Sequence, residues 1–584
     1  MTDIPAAVVT KPKRGVVRSL WRLTWPYFYS EQKWSARGLA VAVIALAVFS
    51  VFIDVKINTW YGRFYNALQE YDWATFWWEI LVFGGWAFAG LAGAVLQLYL
   101  RLVLLVRWRV WLTGRYLGDW LRERAYYTLQ MRQLGTDNPD QRIAEDVDSY
   151  IGSTELLVLG LLDSIMVLVS FSVILWTLSG PLAVPLFGSE INIPGYMFWI
   201  ALVYAIGGSF LIHWIGRPLI ALTFQRQRLE ADFRYSMVRL RENAEQVALY
   251  RGEADERRVF NVRFDRVILN FWAIITRQVK IVVFSNIYGQ ASVIVPFVAA
   301  APTYFITRTF QLGGLMQTTS AFGRVQGAMS WFINAYISIA GWRATVDRLT
   351  TFTDALEEAH ALNEAQGGIA VTTAADGQLH VRDVRLMQPD GKMLTQPIDF
   401  AVAPGESVLV RGPSGVGKTS LFRTMAGLTK FGSGAVDVPG TNRVLFLPQR
   451  PYLPIGTLRA AISYPAPAQG YTDAELVEAL RAVGMPQLID ELDTDRNWAQ
   501  TLSQGEQQRV AFARIFLNKP DWVFMDEATS ALDDKSETAL YHLVRKHLPG
   551  AAIVSIGHRP SLAEFHDRTV DIRPASEPHP LAAE

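Results

Sequence analysis

The chain of 584 residues contains no cysteine, which excludes disulfides and thiolate metal sites but assigns no compartment. Charge is also scarce. Asp, Glu, Lys and Arg make up 19% of the residues and nearly cancel, with 55 basic against 54 acidic side chains, so the total indicates neither a polybasic surface nor a nucleic-acid partner. A cleavable leader is not evident either, because no short apolar core near the start is followed by a small-residue cleavage site. Apolar mass fills the place of these features. Hydrophobic residues reach 51%, including 19 Trp and 31 Phe. This exceeds what an ordinary soluble chain carries and points to membrane spans.

Six stretches are near the ~20 residues that a helix needs to cross the hydrocarbon core: about 38–57, 76–105 and beyond, 156–178, 196–215, 281–305 and 315–340. Arginine sets their orientation. Lys11, Lys13, Arg14, Arg18 and Arg22 precede the first span, Arg107, Arg109, Arg115, Arg122, Arg124 and Arg132 follow the second, and an Arg-rich region, 217–266, follows the fourth. By the positive-inside rule these segments, and with them both termini, are cytoplasmic. Region 217–266 is too polar to span and too periodic to be disordered, so it reads as long cytoplasmic helices. On the other side, Trp60, Tyr61, Phe64 and Tyr65 read as an interface belt in an outer loop, and the charge-poor segment after Gly180-Pro181 as a second loop. The sixth span is the least apolar, with Gln317, Arg324, Gln326 and Asn334. A central arginine costs ~2.5 kcal/mol or more in a bilayer, so this helix reads as lining a pathway, with a structural ion pair as the bland alternative. His213, near the end of the fourth span, reads as a packing or interfacial residue.

The most informative stretch is Gly405 to Ser420. Val408, Leu409 and Val410 form an apolar run expected to be a buried parallel strand, and Gly412-Pro413-Ser414-Gly415-Val416-Gly417-Lys418-Thr419 fits G-x-x-x-x-G-K-T, with Ser420 next and a helix expected at once. Glycines in such a loop let backbone N–H groups converge on phosphate oxygens, the lysine adds charge at the β- and γ-phosphates, and the threonine hydroxyl suits magnesium. Alone, the pattern is also what a chance glycine-rich turn gives. Further parts follow in order. Trp522-Val523-Phe524-Met525 reads as a second buried strand ending in Asp526 and Glu527, which places two carboxylates beside the phosphates, Asp526 for magnesium through water and Glu527 as general base. Ser503, three residues before Glu506, is expected to form a capping box that opens an amphipathic helix. His558 follows the apolar run 553–556 and, at a strand end, is placed to sense a γ-phosphate.

Together these residues resemble the ATPase domain of ABC transporters over roughly the last 200 residues. That resemblance implies Walker A at Gly412 to Thr419, the Q-loop glutamine at Gln449 with magnesium among its contacts, and the signature at Leu502 to Gln507, with Ser503, Gln504, Gly505 and Glu506 toward nucleotide. It further implies Walker B at Asp526 and Glu527, the D-loop at 530–533 with Asp533, and a switch histidine at His558. Two departures are visible: Gln504 stands where many members have glycine, and Gln388 falls where exporters usually carry an adenine-stacking aromatic. The membrane half has its own resemblance. Asn138 to Val147 (N-P-D-Q-R-I-A-E-D-V) and Arg241 to Gly252 are similar to loops of the BacA/SbmA-like transporters and the peroxisomal fatty-acyl half-transporters. The implied protein is a BacA/SbmA-like membrane domain fused to an ATPase, a group whose members import antimicrobial peptides, bleomycin-like glycopeptides or cobalamin.

The expected fold is therefore an exporter-type α-helical membrane domain of six transmembrane helices followed by an α/β P-loop ATPase. Expected boundaries are a juxtamembrane segment 1–35, a transmembrane domain 36–352, a linker 353–378, the ATPase 379–575 and a tail 576–584. ATP and magnesium are the implied cofactors. A second copy of the chain, the lipid bilayer and a transported solute are the implied partners, in a bacterial inner membrane. Export of lipids, fatty-acyl compounds or drugs is the alternative, and an ATP-gated channel or sensor is a further one.

Overall fold

The computed structural model describes residues 15–132, 138–186, 189–306, 311–364, 367–440 and 443–575. The chain divides into a membrane unit reaching to Ala359 and an ATPase unit from His360 on, with residues 130–132 grouped with the latter. Up to residue 364 it is helical: α1 Val16–Tyr29, α2 Lys33–Gln69, α3 Trp73–Leu121, α4 Ala125–Arg132, α5 Pro139–Gln141, α6 Val147–Ser179, α7 Tyr196–Glu242, α8 Ala244–Tyr250, α9 Glu253–Ala301 and α10 Leu312–Glu364. One β-hairpin interrupts the series, β1 Pro181–Leu186 paired antiparallel with β2 Ser189–Pro194. It occupies the segment expected as a charge-poor loop.

The shortest of the six long helices, α6, has 33 residues and the longest, α10, has 53. At ~1.5 Å per residue even α6 is ~50 Å long, well beyond a hydrocarbon core of ~30 Å, so all six continue into water. The Arg-rich region 217–266 is helical as expected, in α7, α8 and the start of α9. Among the described residues five helical stretches are apolar and long enough to cross a membrane, and α10 is not one of them. Polar side chains in the sixth span account for that. The aromatic belt departs from expectation: Trp60, Tyr61, Phe64 and Tyr65 lie inside α2, because no proline interrupts residues 33–69. Trp60 is buried and donates its Nε1 to the Glu79 carbonyl at 2.7 Å. The chain turns just after it, where Asp72 caps α3 by accepting from the N–H groups of Ala74 and Thr75, both at 3.1 Å.

A seam of polar side chains joins α2 to α10. Asp54, Asn58, Gly62 and Asn66 recur every four residues and so share one face of α2. Arg324 donates to Asp54 at 2.8 Å, and Asn58 Nδ2 donates to the Gln317 carbonyl at 3.0 Å. The Gln317 side chain lies over Gly62, where an added Cβ would stand 2.8 Å from its Oε1. At the top, the N–H of Leu312 donates to Gln69 Oε1 at 2.7 Å and that of Gly313 to Asn66 Oδ1 at 2.8 Å. The first turn of α10, whose donors have no partner within their own helix, is thus capped by α2. Near its other end α10 is tied by Arg348, which donates twice to the buried Asp146.

In the ATPase unit, β6 Ser407–Arg411, β8 Val444–Leu447, β11 Trp522–Asp526, β12 Ala552–Ile556 and β13 Arg568–Asp571 form a parallel sheet in the order β13-β6-β12-β11-β8. The three expected apolar runs are its central strands. Alternate side chains divide between two cores: Val408, Val410, Phe524 and Val554 pack with α11 Lys418–Met425, whereas Leu409, Val523, Met525 and Ile553 pack with α15 Gln504–Asn518 and α16 Asp534–His547. Burial on both faces is why these strands read as continuous hydrophobic runs. A second sheet, β3-β7-β4-β5, combines β3 Ala370–Ala374, β4 Leu379–Leu386, β5 Ile398–Val402 and β7 Gly432–Pro439. A smaller helical lobe carries α12 Leu458–Ser463, α13 Asp473–Ala482, α14 Trp498–Thr501 and a ribbon of β9 Gly456–Thr457 with β10 Asp495–Arg496. The segment 353–378, expected as a helix running out into a linker, begins as the end of α10, which runs to Glu364, but its later part holds β3, already part of a sheet. The expected tail 576–584 lies outside the described residues.

Candidate nucleotide site

Four neighbouring parallel strands deliver the site at their carboxyl ends. The register aligns Val410, Ile556 and Asp526 in one row and Leu447 beside Met525. The loop Gly412 to Gly417 after β6, His558 after β12, Glu527 after β11 and Gln449 after β8 therefore emerge along one edge, where open α/β sheets place their ligands.

The loop turns through left-handed conformations at Gly415 and Gly417, with φ of 81° and 108°. It delivers the chain into α11, whose first turn has no side-chain cap. Uncapped N–H groups at a helix start, beside the buried Lys418, fit the phosphates of a nucleotide. Lys418 Nζ donates to the carbonyls of Gly412 at 2.8 Å and Pro413 at 3.0 Å. The Thr419 hydroxyl donates to Asp526 Oδ1 at 3.4 Å, so the two residues expected at magnesium stand together. Burial, reinforced by the neighbouring Glu527, raises the Asp526 carboxyl above its ordinary range, against the bond from Thr419.

Glu527 has a backbone φ of 46°, a conformation a glutamate seldom adopts, and its N–H donates to the Ile556 carbonyl at 2.9 Å. Its carboxylate accepts from Gln449 Nε2 at 2.8 Å and lies 3.6 Å from His558 Nδ1. All three residues expected to be catalytic meet here. The signature also has its expected local form: Ser503 caps α15, accepting from the Glu506 N–H at 3.3 Å, while the Glu506 carboxylate accepts from the Ser503 N–H at 2.9 Å. Gly505 packs on the D-loop, where a Cβ would stand 3.2 Å from the Ala531 carbonyl. Asp533 caps α16, and the bond from Ser536 holds its carboxyl below the ordinary range. Among the described residues, no hydrogen bond or ion pair joins Ser503, Gln504, Gly505, Glu506 or Asp533 to the phosphate loop of the same chain.

Three residues here carry no sequence signal. Gln508, 3% exposed, donates to the Gln449 carbonyl at 3.2 Å and to Ser530 Oγ at 3.3 Å, and accepts from the Ala531 N–H at 3.0 Å. One amide thus ties the Q-loop to the D-loop. Arg559, next to His558, donates to the carbonyls of Leu532 at 3.0 Å and Ser530 at 3.2 Å. The buried Glu537 accepts from Thr529, Ser561 and Arg559. These contacts fix the D-loop relative to the switch histidine.

Gln388 is exposed at a turn in which the Gly391 N–H donates to its carbonyl at 2.9 Å. That turn closes a hairpin whose Leu386 and Leu394 lie against Gly417. Gln388→Tyr is expected to tighten ATP binding by about 1 kcal/mol, roughly fivefold, if a base platform is missing there. A titration with a fluorescent ATP analogue checks this, and unchanged affinity means that another residue stacks.

Comparison with known proteins agrees with this geometry. Residues 23–305 match the model of the ABC transporter transmembrane region 2, and residues 395–530 match that of the ABC transporter family. The chain is 35% identical to an uncharacterized ABC transporter ATP-binding protein of Haemophilus influenzae, covering 94% of this chain and 91% of that one. It is 32% identical to the inner membrane ABC transporter ATP-binding protein YddA of Escherichia coli, over 94% and 96% of the two chains. The human lysosomal cobalamin transporter ABCD4 is 29% identical over 80% of this chain and 79% of its own. In fold, a bacterial Atm1-family ABC exporter with ATP bound superposes with a TM-score of 0.69 at 17% identity, covering 92% of this chain and 94% of that one. The chain belongs to the ABC transporter family, as a half-transporter with its membrane region fused to one ATPase domain.

Proposed function

We propose that two copies of this chain form an ATP-driven importer of peptides or similarly bulky polar solutes, such as bleomycin or cobalamin, in a bacterial inner membrane, with both termini cytoplasmic. The observation that carries this reading is the polar seam of α2 and α10, where Asn58, Asn66 and Gln69 make further polar contacts beside the ion pair of Arg324 with Asp54, the pairing expected as the bland alternative. Such a seam suits a wet path for hydrophilic cargo better than a lipid-facing groove. The cobalamin named for ABCD4 and the inner membrane named for YddA are in keeping with it.

Each nucleotide would lie between the phosphate loop of one chain and Ser503, Gln504, Gly505 and Glu506 of the other, with Asp533 near the shared boundary. The backbone of Gly412 to Lys418 and the Lys418 ammonium hold the phosphates, with Ser420 continuing the first turn of the helix. Thr419, Asp526 and Gln449 would hold magnesium, which would supply neutralising charge to the phosphates. Glu527 takes a proton from the attacking water, Gln449 orients its carboxylate, and His558 contacts the γ-phosphate side.

The test is uptake by a transporter-deficient bacterium of a labelled proline-rich peptide, bleomycin and cobalamin, comparing wild type with Glu527→Gln. ATP-dependent accumulation of at least one is expected. The exporter fold of the Atm1-family structure favours a second reading, outward movement of lipids or drugs. If no probe accumulates above the mutant while inverted vesicles load a lipid or dye with ATP, export replaces import.

A further inference from the structure

Asp163 is the central residue of α6, sixteen positions from Val147 and sixteen from Ser179. It is exposed in the single chain and close enough to Arg324 and Asp54 for their charges to interact. A carboxylate within the span does not face lipid without a large penalty, so Asp163 turns to a polar space or a partner. Helix α6 meets α10 one turn away, where an added Cβ on Gly160 would stand 2.6 Å from Trp331 Nε1. Arg324, also exposed, is flanked on α10 by Gly323 and Gly327, where an added Cβ meets nothing within 4 Å.

The charges in this cluster do not balance. Arg324 bonds Asp54 and leaves Asp163 as a second carboxylate on which, among the described residues, that same guanidinium is the one positive charge acting. The next cation along α2, Lys56, is two positions from Asp54 and lies instead over the Phe52 ring, 5.2 Å from its centroid. A second observation lies one turn from Asp54: Asn58 is 1% exposed, and its Oδ1 accepts from no described residue. The Thr318 hydroxyl, fully buried on α10, likewise has no partner among the described residues. The Asn58 oxygen is thus an unpaired acceptor, and the Thr318 hydroxyl can accept as well as donate.

We propose that Asp54, Asp163 and Arg324 form a membrane-embedded subsite for a cationic group, guanidinium or ammonium, of the transported solute. Arg324 holds Asp54 in place and repels a bare anion, while Asp163 supplies the free carboxylate. The inference rests on the transport reading and adds a charge requirement to it.

The test uses the full chain in nanodiscs without nucleotide, and fluorescence anisotropy of two labelled peptides. One alternates arginine with proline. The other replaces each arginine with citrulline, which keeps the shape and removes the charge. The arginine peptide is expected to bind at least about tenfold more tightly, with the advantage lost in Asp163→Asn and kept in Asp163→Glu. Equal binding of the two peptides, or an advantage untouched in Asp163→Asn, overturns the proposal. So does loss in both variants, since that marks a structural aspartate. Charge-blind binding alongside ATP-dependent uptake would remove this subsite and leave the transport reading intact. Charge-selective binding without uptake would do the reverse.

Discussion

Glu527→Gln is expected to lower ATP turnover by on the order of 10² or more while leaving ATP binding near wild type. The amide keeps the shape of the side chain but cannot take up a proton at the operating pH. Three constraints hold the carboxylate in place: the left-handed backbone at Glu527, the 2.8 Å bond from Gln449 and the nearby His558. Pre-steady-state hydrolysis and a nucleotide-binding titration on the same preparation separate the two effects. Turnover within a few-fold of wild type would assign the proton transfer elsewhere.

The second large effect concerns assembly. In one chain the signature serine and the phosphate-loop lysine share no contact among the described residues, and in the proposed arrangement the partner chain completes each site. Lys418→Ala and Ser503→Arg are each expected to be inactive alone. Mixed before reconstitution, they form heterodimers in which one site pairs two intact motifs, and hydrolysis should return to at most about a quarter of wild type for random pairing. No recovery, in a mixture shown by differential tags to have exchanged chains, would rule out the composite site. A monomer with full activity would do the same.

The ATPase fold was legible in the sequence because its central strands are buried on both faces. Val408 to Val410, Trp522 to Met525 and Ile553 to Ile556 leave a continuous apolar signal, and the residues that follow them inherit positions along one sheet edge. The Ser503–Glu506 box was legible for a similar reason, since both partners lie within one turn. Gln508, Arg559 and Glu537 were not, because their partners, except Thr529 at 8 residues from Glu537, are 22 to 59 residues away and nothing local marks a glutamine or an arginine as an anchor. Strand β3 was hidden inside the expected linker because it is an edge strand with two threonines and a mostly exposed pattern. The reach of α2 past the bilayer was missed because aromatic residues suggested an interface and were read as a loop, although a long helix carries such residues equally well.

The cap that α2 places on the first turn of α10 also bears on how the protein is made. A span with Gln317, Arg324 and Gln326 partitions poorly into lipid by itself, so the last membrane helix to leave the ribosome inserts badly alone. Its first-turn donors and its arginine find their acceptors on Asn66, Gln69 and Asp54. Those acceptors belong to the first long helix, already in the membrane while the rest of the chain is synthesised. Helix α2 thus offers the final span the polar partners that lipid cannot.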